Sequence, residues 1–326
     1  MRIRYLGIAA TIFASLSLTA CGGGGGSESG DSGNGEGGGG GDTRTIEHAA
    51  GTTEIQGEPE NVVVLDTGEL DSAMTLGVTP VGATEVVAGE GFPDYLEGTE
   101  DIEPVGAISE ANIEKIATLE PDLILSSELR DEGNYEELSE IAPTVFTEST
   151  GEPWRENFEL HAEALGKQDE AEEVVSDYES RLEEFKNEVP EPRPEASVVR
   201  FTGPGDTRIY QKESFIGTVL EQAGVPRPEP QDVDDFAIED VSQEAIPQMD
   251  GDVIFTTFYG DEQDTDASDF TSDELWQELD AVQNDRVYEV SDDLWMLGIG
   301  YTAANGVLDD LEQYIPEDGA ETTSEG

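Results

Sequence analysis

Apolar positions along this chain come in short blocks whose period switches between strand-like and helix-like. Residues 61–66, Asn-Val-Val-Val-Leu-Asp, form a compact apolar run of the kind that makes a buried strand, and residues 69–77 continue with helical spacing closed by Gly77. Residues 80–82 read as a second short strand and residues 89–101 as a loop-rich stretch. The pattern then predicts helix over 112–119, strand over 122–126, helix over 135–141 and strand over 144–147. Strands alternating with helices, with few hairpin signals, imply a parallel sheet in an α/β lobe.

The style changes at Pro153, which suits the first turn of a helix that Gly166 then ends. A long helix is predicted over 168–189. Its apolar stripe is Ala171, Val174, Val175, Tyr178, Leu182 and Phe185, with charged residues elsewhere and prolines at 190, 192 and 194 to stop it. The second half repeats the first: strands over 196–201, 207–210, 252–258 and 286–290, and helices over 215–223, 272–279 and 303–315. The fold class expected is therefore α/β, with two lobes built on mostly parallel sheets and joined by one long α-helix.

Composition adds the compartment. Residues 1–5 carry two arginines, residues 6–18 are apolar or small, and Leu18-Thr19-Ala20-Cys21 follows. That is a charged n-region, a short h-region and small residues before a cysteine, an h-region too short for a permanent span. The tetrapeptide resembles a bacterial lipobox, which implies acylation of Cys21; Cys21 is also the single cysteine, so no intrachain disulfide can form. Residues 22–41 are almost wholly Gly, Ser, Asp and Glu and read as a flexible tether. The expected organisation is a signal peptide over 1–20, tether over 21–44, N-terminal lobe over 45–166, bridging helix over 167–190, C-terminal lobe over 191–316 and an acidic tail over 317–326. The localisation expected is the outer face of a cell membrane, by lipid anchor.

Charge narrows the partners. Fifteen Lys and Arg against 76 Asp and Glu give a formal net charge of −61, which repels nucleic acid and anionic membrane surfaces. The carboxylates are spread over the whole body, as on a solvated surface suited to high salt. Only His48 and His161 exist as histidines, far apart and outside any ligand-spaced motif, so no metal site is expected and both read as surface residues. Gly298-Ile-Gly300-Tyr-Thr-Ala303 fits a dinucleotide fingerprint, but too little chain follows it to complete a βαβ unit. Nothing supplies a paired nucleophile and base, and no enzyme is expected.

Residues 112–127 align with residues 242–257 at a fixed offset of 130. Asn112 and Ser242 are both good N-cap types, Glu114 and Glu244 follow in the first turn, Ile116 and Ile246 face the core, and Asp122 and Asp252 precede strands. Each lobe thus places a carboxylate at a helix start, where the helix dipole alone would favour it.

Residues 112–125, 140–145 and 162–166, together with 65–71, 76–82 and 294–298, resemble the ferric-siderophore and cobalamin binding proteins of ABC importers, in order over essentially the whole body. The resemblance implies the class III periplasmic-binding-protein fold and capture of an iron complex, here Fe(III)-siderophore, in the inter-lobe cleft, without an enzymatic cofactor. It also implies delivery by a monomeric receptor to a permease dimer and, through it, an ATPase, with Glu114 and Glu244 docking on the permease. Ligand contacts are expected from Arg200 and Trp295, which match arginine and tryptophan positions of the relatives. Geometry adds three more: Arg130, at the carboxyl end of a strand, and Arg208 and Tyr210, which alternate on one strand and share a face. With so few cations a hydroxamate chelate is expected ahead of a catecholate. Cobalamin or haem is the rival cargo, and a cargo-free adhesion or signalling lipoprotein the rival class.

Overall fold

The computed structural model describes residues 43–189 and 191–315. The expected signal peptide, Cys21, nearly all of the tether and the acidic tail lie outside the described residues.

The body begins with an antiparallel hairpin, β1 (Thr43–His48) and β2 (Gly51–Gln56). Sequence reading did not find it. Only Ile46 and Ile55 point inward, so the strands show little apolar alternation. Its first strand opens within the expected tether, where Arg44 donates to the carbonyls of Gly57, Glu163 and Ala164.

The first lobe holds six strands: β3 (Val62–Val64), β4 (Gly82–Glu85), β5 (Glu103–Ala107), β6 (Glu110–Ala111), β7 (Leu123–Ser127) and β8 (Thr144–Thr147), in the order β6-β5-β4-β3-β7-β8. All pairings are parallel except β5 with β6. The central strands are buried on both faces, as continuous apolar runs demand. Between them run α1 (Thr67–Thr75), α2 (Ile113–Thr118), α3 (Glu128–Asp131) and α4 (Tyr135–Ile141). Then α5 (Trp154–Leu165) ends at Gly166, whose φ of 74° is the left-handed C-cap that favours glycine.

The predicted bridge is α6 (Gln168–Glu188), 21 residues and so about 32 Å long. It buries Ala171, Tyr178, Leu182 and Phe185 of the expected stripe and leaves Val174 and Val175 half-buried.

The second lobe carries β9 (Ala196–Gly203), β10 (Asp206–Tyr210), α7 (Phe215–Ala223), β11 (Ala237–Ile238), β12 (Val253–Phe258), three short helices α8 (Ala267–Thr271), α9 (Glu274–Gln277) and α10 (Asp280–Gln283), and β13 (Val287–Glu289). Its strand order is β11-β10-β9-β12-β13, and β12 is parallel to both neighbours. Here the sheet is more mixed than expected, because Gly203-Pro-Gly205 turns β9 back into an antiparallel β10, which pairs antiparallel with β11. The predicted helix over 272–279 is interrupted and retains only the single turn α9.

The last helix, α11 (Tyr301–Tyr314), is a second tie between the lobes. Asp71 of α1 accepts hydrogen bonds from the Thr302 and Ala303 amides at 3.2 and 3.1 Å, capping α11 from the other lobe. Gly300 makes this approach possible: a Cβ there would lie 2.1 Å from the Asp71 carboxylate. Tyr301 packs edge-on against Trp154, Phe158 and Tyr178, with ring centroids 4.8, 4.6 and 5.3 Å away. One continuous core therefore runs through both lobes along α5, α6, α7 and α11.

The 130-residue repeat has a structural counterpart. Asp122 accepts the amides of Glu60 and Asn61, just ahead of β3, and Asp252 accepts that of Glu195, just ahead of β9. The helix starts differ. Asn112 caps α2 through the Lys115 amide, but Ser242 makes no side-chain cap and residues Gln243–Met249 wind as a 3-10 turn. Pro247 lies inside that turn and removes a backbone donor. The two histidines are structural rather than surface residues. His48 bridges the hairpin to β8 by accepting the Phe146 amide, and His161 is 2% exposed.

Candidate functional site

The strands of the first lobe end facing the second, and a cavity of about 460 Å³ lies between them. Its first wall comes from residues just past strand ends: Asp66 and Thr67 after β3, Ile108 after β5, Arg130 after β7, Thr150 after β8. The opposite wall comes from β9, β10, the start of α7 and the π-turn Asp293–Leu297 that follows β13. All five residues expected at the ligand, Arg130, Arg200, Arg208, Tyr210 and Trp295, line this one cavity.

They line it in different ways. Arg200 and Arg208 are direct cross-strand partners, a juxtaposition of like charges that needs counter-charges. Arg200 is 8% exposed and bidentate on Asp292, at 2.7 and 2.6 Å; it also donates to the Tyr210 hydroxyl at 3.2 Å and lies 5.1 Å over the Tyr259 ring. Burial would lower the Arg200 pKa, but Tyr210 and Asp292 more than offset it, and the guanidinium titrates above its ordinary value. Burial pushes the Asp292 carboxyl up in spite of Arg200, and the fork-to-fork geometry is that of an ionised pair.

Arg208 is clamped by Asp206, two residues away on its own strand, at 2.8 and 3.0 Å, with Glu239 at 3.7 Å. Arg130 donates only its Nε, to Asp66 at 2.6 Å, and its terminal nitrogens have no protein partner among the described residues. Trp295 is fully buried: its indole N–H donates to Asp310 at 2.7 Å and its ring packs on Phe255 at 4.6 Å. It forms the floor of the cavity rather than a freely exposed face. Two other large aromatics are packed away from the cavity: Trp154 is core, and Phe258 stacks on Phe201 at 5.6 Å.

Sequence reading missed the carboxylates that hold these arginines. Asp66 ended the first apolar run and was legible in that sense, whereas Asp292 lies 92 residues from Arg200 and gave no signal. A second hollow of about 480 Å³, lined in part by Phe92, Tyr259 and Asp293, adjoins the first through Leu297.

Behind Asp66 sits a buried acid. Glu69 is pushed up to about 8 by burial first and Asp66 second. His161, with its Nε2 3.9 Å from Glu69 Oε1, is pushed down to about 3 by burial. Among the described residues no group of three or more His, Cys, Asp or Glu is arranged to hold a metal ion, and no helix is long and apolar enough to cross a membrane.

The family described as "Periplasmic binding protein" matches residues 62–294. The chain is 39% identical over 286 residues to the probable siderophore-binding lipoprotein YfiY of Bacillus subtilis, covering 84% of this chain and 88% of that protein. It is 30% identical over 257 residues to the Fe(3+)-citrate-binding protein YfmC of the same organism, covering 78% and 80%. Among solved structures, Staphylococcus aureus SirA complexed with staphyloferrin B superposes with a TM-score of 0.74 at 34% identity, covering 85% of this chain and all of that one. The two lobes, their inter-lobe cavity and these matches place the chain in the periplasmic binding protein family, whose members bind ligands rather than transform them.

Proposed function

We propose that this protein is the lipid-anchored receptor of an ABC importer and captures a ferric siderophore in the cavity between its lobes. One observation carries the reading: a chain with fifteen cationic residues and a net charge of −61 brings three of its arginines into a single cavity. Iron chelates present oxygens with negative charge, for which guanidinium groups are suitable donors. The relatives are named for siderophore, ferric citrate and staphyloferrin B, and so do not choose among cargoes. The charge pairing favours a hydroxamate chelate. Each cavity arginine already has an aspartate within hydrogen-bond distance, which leaves little net positive charge for a highly anionic catecholate complex.

Cys21 is the attachment point for the anchor in this reading, and a monomer on the outer membrane face delivers cargo to the permease and its ATPase. Glu114 and Glu244 dock on the permease. Both are exposed, each is followed two residues later by a fully buried isoleucine, and each sits where a helical turn begins before doubling back into a strand. That topology sets both carboxylates on the edge where the strands end, which is the edge bearing the cavity.

Two measurements test this. Tryptophan fluorescence titrated with a ferric hydroxamate, a ferric catecholate, haem and cobalamin should show saturable, stoichiometric quenching by the hydroxamate. A response to cobalamin or haem alone would refute the cargo. Glu114→Ala with Glu244→Ala should abolish uptake and leave binding intact, and normal uptake would refute the docking assignment.

A further inference from the structure

Three large apolar side chains are exposed among the described residues of this very acidic protein: Leu129 at 58%, Val233 at 43% and Phe236 at 42%. Leu129 and Phe236 line the same cavity, one from each lobe, beside its charged residues. Neither exposure is loop looseness. Leu129 lies in α3 next to Arg130, and that turn is fastened on both sides: Asp131 accepts Ser126 Oγ at 2.7 Å and Asn134 Nδ2 at 2.9 Å, while Arg130 holds Asp66. Phe236 rides a loop zipped to residues 211–213 by backbone bonds, from Gln211 N to Phe236 O at 2.9 Å, Lys212 N to Val233 O at 3.2 Å and Glu213 N to Asp235 O at 2.9 Å. Its ring stands edge-on to Tyr210 at 5.3 Å. Two apolar side chains on fastened backbone thus stand in water, one on each lobe's side of the cavity, where a bound molecule would cover them.

We propose that Leu129 and Phe236 are apolar jaws that take the hydrocarbon or aryl spacer linking the iron-binding groups of the cargo. The cargo is then a chelate with an apolar backbone, not a compact and wholly polar iron complex. This rests on the cavity being the ferric-chelate site. Arg130, with its unused donors, addresses the oxygens around the iron, and the jaws select what connects them. Covering the exposed half of either side chain removes apolar surface from water, a gain that a ligand without a spacer cannot collect.

The test uses two ferric hydroxamates with the same donor groups: a linear trihydroxamate with pentamethylene spacers, and tris(acetohydroxamato)iron(III), which has none. The folded protein and its Leu129→Ala, Phe236→Ala and Phe236→Leu variants are titrated with each. Either alanine variant should bind the spaced chelate about ten-fold more weakly, a change of about 1.4 kcal/mol. Neither should differ from the parent with the spacer-free complex, and Phe236→Leu should recover most of the loss. Unfolding midpoints report on folding, and exposed positions should leave them unchanged. Unchanged affinity for the spaced chelate in both alanine variants would overturn the jaws and leave the cavity reading standing. An equal loss for both chelates would overturn them too, since it would mark a general disturbance of the cavity. Failure of the parent protein to bind either chelate would overturn the ferric-hydroxamate reading and the jaws with it.

Discussion

The two walls of the cavity hold their arginines on opposite terms. On the second-lobe wall Arg200 is buried, bidentate on Asp292, bonded to Tyr210 and stacked over Tyr259, so each of its three guanidinium nitrogens and one face are engaged. On the first-lobe wall Arg130 is 28% exposed at its side chain and tied by one bond to Asp66. A fully engaged guanidinium is part of the wall: it fixes the shape and potential of the cavity. A half-tethered one can give its remaining donors to a ligand. Exposure and unused donors, rather than presence in the lining, separate a residue that shapes a cavity from one with donors left to offer a ligand.

The sharpest way to break this contrast is Arg200→Ala. It leaves Asp292 buried without its partner, and a loss of about 3–5 kcal/mol in denaturant-derived stability is expected. Arg200→Met combined with Asp292→Leu should recover much of that loss, because two buried charges are then removed together. A single variant as stable as the parent would show that the pair is not part of the wall.

The first-lobe wall should instead be the pH-sensitive one. Glu69 ordinarily ionises near 4.5 but keeps its proton in the fold up to about 8. Between those values the folded state binds a proton that the unfolded chain has lost, so stability falls as pH rises, and the full deficit is present above about 8. His161 acts with the opposite sign. It stays neutral down to about 3 against an ordinary 6.5, so stability falls as pH drops below 6.5. The two slopes oppose each other between 4.5 and 6.5, which places a plateau there. Glu69→Gln should be more stable than the parent at pH 9, should lose the fall between 4.5 and 8, and should leave the His161 slope below 6.5 unopposed. Parallel pH profiles for parent and variant would contradict the assignment.

Arg130→Ala sharpens the comparison from the ligand side. Ferric-chelate affinity should drop by about ten-fold or more, as for a charged hydrogen bond worth about 1.5–3 kcal/mol. Stability should change by less than the Arg200→Ala loss, read by unfolding midpoints alongside the titration. The smallest effect is expected at Arg208, whose pairing with Asp206 is local to one strand and part-exposed; Arg208→Ala should shift stability by no more than about 0.5 kcal/mol.

How much of this could be read in advance depends on how local each cause is. The helix over 135–141, the strand over 144–147 and the helix over 215–223 coincide with the elements found, because period, capping residues and flanking turns lie within a dozen residues. The stripe of α6 was legible for the same reason. The β1–β2 hairpin was not, since its strands are rich in Thr and Glu and acquire their inward face only against β8. The capping of α11 by Asp71 joins residues 231 and 232 apart, and no local pattern announces it. At the site the cationic and aromatic members were legible because arginine is rare here and Arg208 and Tyr210 share a strand face. Their counter-ions and the exposed Leu129 and Phe236 were hidden among 76 acidic residues and ordinary apolar ones. The family resemblance suggested Trp295 as a ligand contact, and packing against Phe255 with a hydrogen bond to Asp310 buries it in the cavity floor.

The most direct measurement is anomalous scattering at the iron absorption edge from crystals of the protein grown with a ferric trihydroxamate. A single iron peak in the cavity between Arg130 on one wall and the Arg200–Tyr210 pair on the other is the expected result. A peak on the outer surface, or in the neighbouring hollow lined by Phe92 and Asp293 with the arginine-lined cavity empty, would contradict it.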